Sequence, residues 1–298
     1  MDICEYRVLE RMDFWIATTD HLTDRIWFRD DDDFKMGMNL VAILAIVLQV
    51  DVLCFILMSN HVHFVLCCPH ENAKHFMNEF KRRYSQYMNK KYGTKELLRK
   101  VNVDIKPLSG MDESLEWAIA YVQMNAVAAG ICLYAFGYPW GTGNSFFRVS
   151  GIKGRRLGTF SERARRRLLH SKEELPPDLI VGEDGFILPE SYIKRDLVES
   201  VYRNPKRMDY FLKNSSKAKK RLESDEKGSP AFRDQIVLAA IPDLCNSLFR
   251  KSSVNELSDE EQTELLKQLR FRFSSNVNQL GRVTGLPYKK VTDLLNRF

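Results

Sequence analysis

The stretch "FILMSNHVHFVLCC", residues 55–68, sets two histidines in an otherwise apolar segment. Two runs rich in strand-forming residues flank Ser59 and Asn60, which alone separate them. A two-residue connection between such runs predicts an antiparallel hairpin. Because successive side chains of a strand point to opposite faces, His61 and His63 share one face. The residues between and beyond them on the other face can anchor the strand in the core.

This histidine pair indicates one half of a divalent-metal site. Imidazole is a common metal ligand, and two imidazoles on one face of a rigid strand aim at one point. The strand itself offers no third ligand. The alternative is a pair of hydrogen-bonded histidines at the end of a sheet, and the pattern alone does not choose between the two.

The segments around the hairpin predict helices packed on a sheet. Residues 13–19 have the composition of a first strand, and acidic residues open an apolar helix within residues 29–49. Residues 71–93 have a basic amphipathic pattern, which predicts a helix that ends at Gly93. A further amphipathic helix is predicted over residues 112–129. Strand, helix, hairpin, helix and helix in this order favour an α+β domain with an antiparallel sheet.

The helix predicted at 112–129 carries candidates for the missing parts of the site. Tyr121 and Asn125 are four residues apart, so they lie on one face. An amide oxygen suits Mg²⁺ or Mn²⁺, which makes Asn125 a possible third ligand with the Tyr121 hydroxyl one turn away. An ordinary core tyrosine and an asparagine at a helix end are the alternative. A separate apolar stripe would dock the helix on the sheet, through Leu115, Ile119 and Val122.

The charge of the chain is unevenly spread. The total is +6, which divides into −2 for residues 1–150 and +8 for residues 151–298, and residues 81–100 alone carry +7. Local basic strips of this kind favour a polyanion partner, with a solvated helix face as the alternative. Interleaved cations and aromatic rings on the basic helix suit the phosphates and bases of a single DNA strand, namely Arg82, Arg83, Tyr84, Tyr87, Lys90 and Lys91. A later run of arginines, within residues 155–167, is predicted to clamp a DNA hairpin or to form a plain charged surface.

The cysteines and the apolar segments favour a cytoplasmic protein without a membrane span. Six cysteines form no CxxC pair, so we expect reduced thiols. The first ten residues do not resemble a signal peptide. Residues 39–58 are apolar enough to raise a membrane span, but Gln49 and Asp51 interrupt them and the second part has a strand pattern.

The C-terminal part predicts a separate helical unit. Residues 213–230 have the composition of a flexible linker, and residues 276–298 predict a helix, a turn near Pro287 and a second helix. Such a pair is typical of a helix-turn-helix, whose second helix would present Tyr288, Lys289 and Lys290 to a major groove. A helical pair that makes dimer contacts is the alternative. The predicted domains are residues 1–150, a basic helical extension with linker at 151–230, and a helical domain at 231–298.

Four segments, in the same order as in a known family, carry a resemblance. "MSNHVHFVL" resembles the HUH motif (His, hydrophobic, His) of the single-tyrosine transposases of insertion sequences, and "AYVQMNAVAAG" resembles their "YRYIELNPVRAG" segment. "YPWGTGNSF" resembles the following "YPWSSY", and "FKRRYSQYMNKKYG" resembles the basic helix between them. The match covers residues ~10–150. Within this family the chain is most similar to the REP-associated tyrosine transposases, which process single-stranded DNA.

The resemblance implies a ferredoxin-like or RRM-like HUH domain that cleaves and rejoins single-stranded DNA. It implies that His61, His63 and Asn125 bind a divalent metal, Mg²⁺ or Mn²⁺, and that Tyr121 is the nucleophile of a 5′-phosphotyrosine intermediate. Single-stranded or hairpin DNA and a second copy of the chain are the implied partners. Other tyrosines of the basic helix are rival nucleophiles, Tyr84, Tyr87 and Tyr92, but none has an asparagine four residues on.

Two positions depart from the family pattern. Ala126 stands where proline usually follows the asparagine, and Ser59 stands where proline is common before Asn60. Since alanine is compatible with a helix, we expect the helix to continue through this position. The first alternative function is a non-catalytic, domesticated DNA-binding protein that recognises palindromic or repeat hairpins. The second is a metal-binding structural protein.

Overall fold

The computed structural model describes residues 12–19, 26–94, 98, 101–216, 232–273 and 275–296. The strands are β1 (Phe14–Thr19), β2 (Asp51–Met58), β3 (His61–Cys67), β4 (Val103–Leu108), β5 (Arg155–Arg156) and β6 (Ile180–Val181). The helices of the first half are α1 (Asp31–Val47), α2 (His70–Tyr92), α3 (Ser114–Gln123) and α4 (Asn125–Ala128). The later helices are α5 (Glu162–Leu169), α6 (Arg195–Tyr202), α7 (Pro205–Asn214), α8 (Asp234–Phe249), α9 (Asp259–Phe273), α10 (Val277–Thr284) and α11 (Tyr288–Asn296).

A four-stranded antiparallel sheet in the order β2-β3-β1-β4 forms the centre of the fold, which confirms the predicted α+β class. The predicted hairpin is present, with Met58 opposite His61 and only Ser59 and Asn60 between the strands. Strand β4 was not predicted, because its sequence "VDIKPL" contains Pro107 and charged residues. It is an edge strand, where a missing backbone donor is tolerated.

Both faces of the sheet are covered by helices. On one face, the Phe64 ring lies 5.2 Å from that of Phe76 and 5.5 Å from that of Phe80, both in α2. Helix α1 packs beside α2. On the opposite face, α3 packs against β2 and β3 and brings Tyr121 to His63. This double cover explains why every residue of β3 is buried and why its sequence is so apolar.

The ends of the first two helices follow their sequence signals. Asp30 accepts a hydrogen bond from the Asp33 amide and caps α1, whose first turn is acidic. Gly93 ends α2 with a φ of 67°, a left-handed conformation that glycine adopts without a steric cost. The predicted helices at 29–49 and 71–93 are therefore confirmed, with small shifts at their ends.

The helix predicted over 112–129 is divided at Met124. The side-chain nitrogen of Asn125, Nδ2, donates to the backbone carbonyl of Tyr121 at 2.8 Å and to that of Val122 at 3.2 Å. A continuous helix would give these carbonyls to the backbone N–H groups of Asn125 and Ala126. Here the Asn125 side chain bonds both carbonyls, and the helix is interrupted at Met124. The expectation that Ala126 keeps the helix continuous is therefore wrong.

Helices α6 and α7 extend the core of the sheet beyond the predicted boundary at residue 150. The Phe211 ring lies 4.5 Å from that of Trp117, and the Tyr202 hydroxyl donates to the Glu116 carbonyl at 2.6 Å. The Lys194 amide donates to the Val52 carbonyl of β2 at 2.9 Å. Part of the predicted extension is therefore packed against α3 and the sheet.

Helices α8 to α11 share an apolar core separate from that of the sheet, which includes Val237, Leu244, Leu266 and Leu280 and which Ile26 of the first half joins. The predicted helix pair in the tail is observed as α10 and α11, with Gly285 in a left-handed conformation after α10. Its function in DNA binding stays a prediction. Residues 217–230 of the predicted linker lie outside the described residues, whereas residues 213 and 214 end α7.

Two further predictions, reduced cysteines and no membrane span, concern buried parts of the chain. Cys54, Cys67 and Cys68 are buried and form no disulfide, and burial raises the pKa of both Cys67 and Cys68 to about 12, so these thiols stay protonated. The apolar residues 39–58 divide between α1 and β2. Within the described ranges, no helix combines the length and the apolar character that crossing a membrane requires.

Phe64→Ala tests whether the face opposite the histidines carries the stability of the sheet. Because the ring is fully buried among α2 residues, we expect a loss of about 3–5 kcal/mol in the free energy of unfolding. Urea denaturation measures it. Val149→Ala is the control, since Val149 is fully exposed and should change stability by less than about 0.5 kcal/mol. Equal effects of both variants would contradict the packing described.

Candidate metal and nucleophile site

His61 and His63 lie on the face of β3 that α3 covers. Their exposed fractions are only 5% and 2%. The two rings meet edge to face with centroids 4.8 Å apart. His61 Nδ1 lies 2.9 Å from the Asn60 side-chain oxygen. The predicted shared face is therefore observed, and its cause is the alternation of side chains along β3.

The spacing of the two rings fits a shared metal ion. Two imidazoles bound at about 2.1 Å and at an angle of about 90–110° have ring centroids roughly 4.5–5.2 Å apart. The observed 4.8 Å falls in this range. The Asn60 oxygen beside His61 Nδ1 is the kind of outer partner that fixes the tautomer of a ligating histidine and directs Nε2 toward a metal.

Tyr121 lies beside this pair. Its ring is edge to face with that of His63 at a centroid distance of 5.6 Å. The side chain is half-buried, and this burial raises the pKa of the phenol, whereas the positive charge of Lys106 acts in the opposite direction. Sequence reasoning missed Lys106 because β4 was not predicted, and no local pattern links residue 106 to residue 121.

Asn125 lies at the start of α4, which packs against β2. Its exposed fraction is 4%. Because the amide nitrogen donates to two carbonyls of α3, the side-chain oxygen is directed away from them and is the end of the amide that can act as a ligand. The fold thus brings His61, His63 and Tyr121 together, and Asn125 follows Tyr121 by four residues, just after the break at Met124.

The donor set limits which metals fit. Across the part of the chain that the structure describes, no group of three or more His, Cys, Asp and Glu side chains could hold a metal ion. A site on this face would need a further donor beside the two imidazoles, and the amide oxygen of Asn125 is the one that the sequence predicts. The neutral amide oxygen suits Mg²⁺ or Mn²⁺, the metals that the sequence predicts, whereas two imidazole nitrogens are ligands that transition metals accept more readily than Mg²⁺.

The rival tyrosines lie on the other side of the sheet. The Tyr84 hydroxyl donates to the Trp27 carbonyl at 2.7 Å, and its ring is fully buried. Tyr87 and Tyr92 donate to the carboxylate of Asp33 at 2.9 and 3.0 Å. Burial raises the pKa of all three phenols. None of them faces the histidine pair, since α2 packs on the face of β3 that carries Phe64.

The basic residues predicted to bind DNA along α2 are largely engaged within the protein. Arg82 and Arg83 donate to Glu79, whose pKa the Arg82 hydrogen bond lowers to about 2. Lys91 contacts Asp30 and Asp33 at 2.7 and 2.8 Å. Lys90 is exposed.

The position of Tyr84 does not suit the DNA-binding role that the sequence predicts. Its ring has no exposed surface, so stacking on a base would require it to leave the core. The prediction of a stacking residue at this position is therefore incompatible with its place in the fold. Tyr87 is half-buried, with its ring edge to face with His170 at 5.8 Å.

The predicted DNA-binding residues of the tail lie on α11. Tyr288 has an exposed fraction of 51%, and Lys289 is also exposed. Lys290 forms an ion pair with Asp259 of α9 at 3.0 Å. Tyr288 and Lys289 are therefore the two members of this group with the most accessible side chains.

Comparison with protein-family models, curated proteins and solved structures found no match. The family resemblance therefore depends on the four sequence segments alone.

His61→Gln and His63→Gln test the metal site. Each removes one of two imidazoles that share a face, so we expect Mn²⁺ affinity to fall at least about tenfold in either variant. Isothermal titration calorimetry measures the affinity. His75→Gln is the matched control because His75 is exposed on α2, and it should bind Mn²⁺ as the wild type does. An unchanged affinity in both site variants would contradict the assignment.

Proposed function

We propose that the protein is a metal-dependent, single-tyrosine strand transferase that cleaves and rejoins single-stranded DNA. The observation that carries the proposal is the meeting of Tyr121 with His63 on the face of β3 that also holds His61. A nucleophile beside two buried imidazoles is an arrangement that phosphoryl transfer can use. Asn125 supplies the further oxygen donor.

The topology also supports the HUH interpretation. Strands and helices alternate as β1, α1, β2, β3, α2 and β4, and the sheet order is β2-β3-β1-β4. This βαββαβ order is that of a ferredoxin-like domain. A fold alone does not define an activity, so the proposal depends on the side chains of the site.

The metal would be held by His61, His63 and Asn125, and when bound it supplies positive charge that polarises and orients the scissile phosphate. The Tyr121 oxygen attacks phosphorus with a lone pair and forms the oxygen–phosphorus bond of a 5′-phosphotyrosine. The bond from phosphorus to the 3′ oxygen breaks, and that oxygen keeps the electron pair and takes up a proton. Attack by a 3′-hydroxyl on the phosphotyrosine reverses the step and releases Tyr121.

Tyr121 must lose its proton during this attack. A phenol has a pKa of about 10 in water, and burial raises the pKa of Tyr121 further. The charge of Lys106, which is also paired with Asp104 at 2.7 Å, opposes part of this rise in the pKa of Tyr121. The positive side chain on β4 therefore offsets part of the effect of burial on the Tyr121 phenol.

The direct test is covalent capture of DNA. We expect the protein, incubated with Mn²⁺ and single-stranded hairpins from the DNA that flanks its gene, to form an adduct that denaturing gels and mass spectrometry detect. Tyr121→Phe should abolish the adduct and leave DNA binding intact. Tyr87→Phe is the matched control and should retain it. Loss of the adduct in Tyr87→Phe but not in Tyr121→Phe would refute the nucleophile assignment.

The pH dependence of adduct formation tests Lys106. Because its charge lowers the pKa of Tyr121, Lys106→Gln should raise that pKa and shift the rise in rate to higher pH. The shift should be small, and it should shrink in 1 M salt because Lys106 is exposed to solvent and screened. Lys74→Gln, an exposed change on the far side of the sheet, should leave the pH profile unchanged. A shift to lower pH in Lys106→Gln would contradict the role.

The second candidate function is a DNA-binding protein without chemistry. The exposed Tyr288 and Lys289 on α11 favour it, since they can contact DNA whether or not the histidine site is active. Hairpin binding without any adduct, abolished by Lys289→Ala, would support this candidate. Homodimer formation belongs to the same proposal and is tested by sedimentation of the full chain.

A further inference from the structure

The turn that precedes His61 is bonded to the C-terminal helices. The Ser59 hydroxyl donates to Asp234 Oδ2 at 2.5 Å, across 175 positions of sequence. The exposed fractions of Ser59 and Asp234 are 8% and 4%. This contact therefore joins the hairpin β2–β3 to the first residue of α8 inside a buried interface.

The carboxylate of Asp234 is itself held in place. Arg282 donates to both of its oxygens, from Nε at 2.8 Å and from the terminal nitrogen at 3.1 Å. Gln279 Nε2 donates to Oδ1 at 2.9 Å. A carboxylate with three donors from α10 cannot shift without breaking charge-assisted hydrogen bonds. Ser59 is thus anchored to a rigid point.

The same turn reaches the histidine pair from the other side. Asn60 follows Ser59 and places its side-chain oxygen 2.9 Å from His61 Nδ1. The Ser59 carbonyl accepts hydrogen bonds from the amides of Trp27 at 2.7 Å and Phe28 at 3.2 Å. Displacement of Ser59 would move Asn60, and with it the partner that orients the His61 ring.

Ser59 also stands where proline is common in the transposases that the chain resembles. Proline restricts φ through its own ring, whereas serine depends on contacts for the same rigidity. We propose that Asp234 is a positioning residue that, through Ser59 and Asn60, sets the orientation of the His61 imidazole for metal binding. The proposal rests on the proposed function, in which His61 is a metal ligand.

A purely structural contact between the C-terminal helices and the sheet is the competing explanation. Gln235 offers the matched control, because its amide donates to the Phe28 carbonyl at 2.8 Å and joins the same two parts of the chain. Gln235 reaches the turn only through the backbone of Phe28, whose amide donates to the Ser59 carbonyl, whereas Asp234 bonds the Ser59 side chain directly. A general loss of docking would therefore appear in both Ser59 and Gln235 variants, whereas positioning of His61 would appear only in the former.

The experiment uses the full-length chain labelled with ¹⁵N-histidine, in the variants Ser59→Ala, Ser59→Pro, Asp234→Asn and Gln235→Ala. The His61 ring nitrogens are observed by NMR without metal and assigned with His61→Gln, and Mn²⁺ affinity is measured by calorimetry. We expect Ser59→Ala and Asp234→Asn to shift the His61 signals and to weaken Mn²⁺ binding roughly three- to tenfold. Circular dichroism verifies that each variant is folded.

The remaining variants sharpen the test. Ser59 and Asn60 both have negative φ, so the turn accepts proline at its first position, and Ser59→Pro should bind Mn²⁺ more tightly than Ser59→Ala. Gln235→Ala should match the wild type in both measurements. Unchanged His61 signals in Ser59→Ala, or an equal effect of Gln235→Ala, would overturn the proposal. If the wild type binds no Mn²⁺, the proposed function fails, and the His61 signals alone decide whether Asp234 positions the ring.

Discussion

Burial of β3 on both faces is the constraint on which the other features depend. One face supplies Phe64 to the aromatic core under α2, and the other supplies His61 and His63 to the space under α3. The strand cannot slip by one residue, because a slip would exchange the two sets of side chains. The core therefore fixes the direction of the imidazoles.

The parts of the fold that depend on local pattern were predictable from the sequence. The hairpin, the end of α2 at Gly93 and the shared face of the histidines follow from turn chemistry and side-chain periodicity. Strand β4 was not predictable, since its residues acquire a strand conformation only by pairing with β1. The contacts of α6 and α7 with α3 join residues far apart in sequence, which periodicity cannot reveal.

The charged residues show the same difference between what the local sequence reveals and what tertiary packing decides. The concentration of positive charge between residues 81 and 100 is visible in the sequence, but its partners are not. Glu79 lies on the same helix as Arg82, whereas Asp33 reaches Lys91 only because α1 packs beside α2. A count of charges therefore overstates what α2 offers to a polyanion. The burial of Tyr84 has the same origin, since its ring fills the space between α2 and residues 27 and 28.

At the break between α3 and α4, the Asn125 side chain links two properties: where α3 ends, and the direction in which a side-chain oxygen points. The Asn125 side chain ends α3 with its nitrogen, and the covalent geometry of the amide then turns its oxygen in the opposite direction. An aspartate would offer an oxygen of similar reach but no donor for the two carbonyls. The end of α3 and the direction of the side-chain oxygen are thus both set by the one amide group of Asn125.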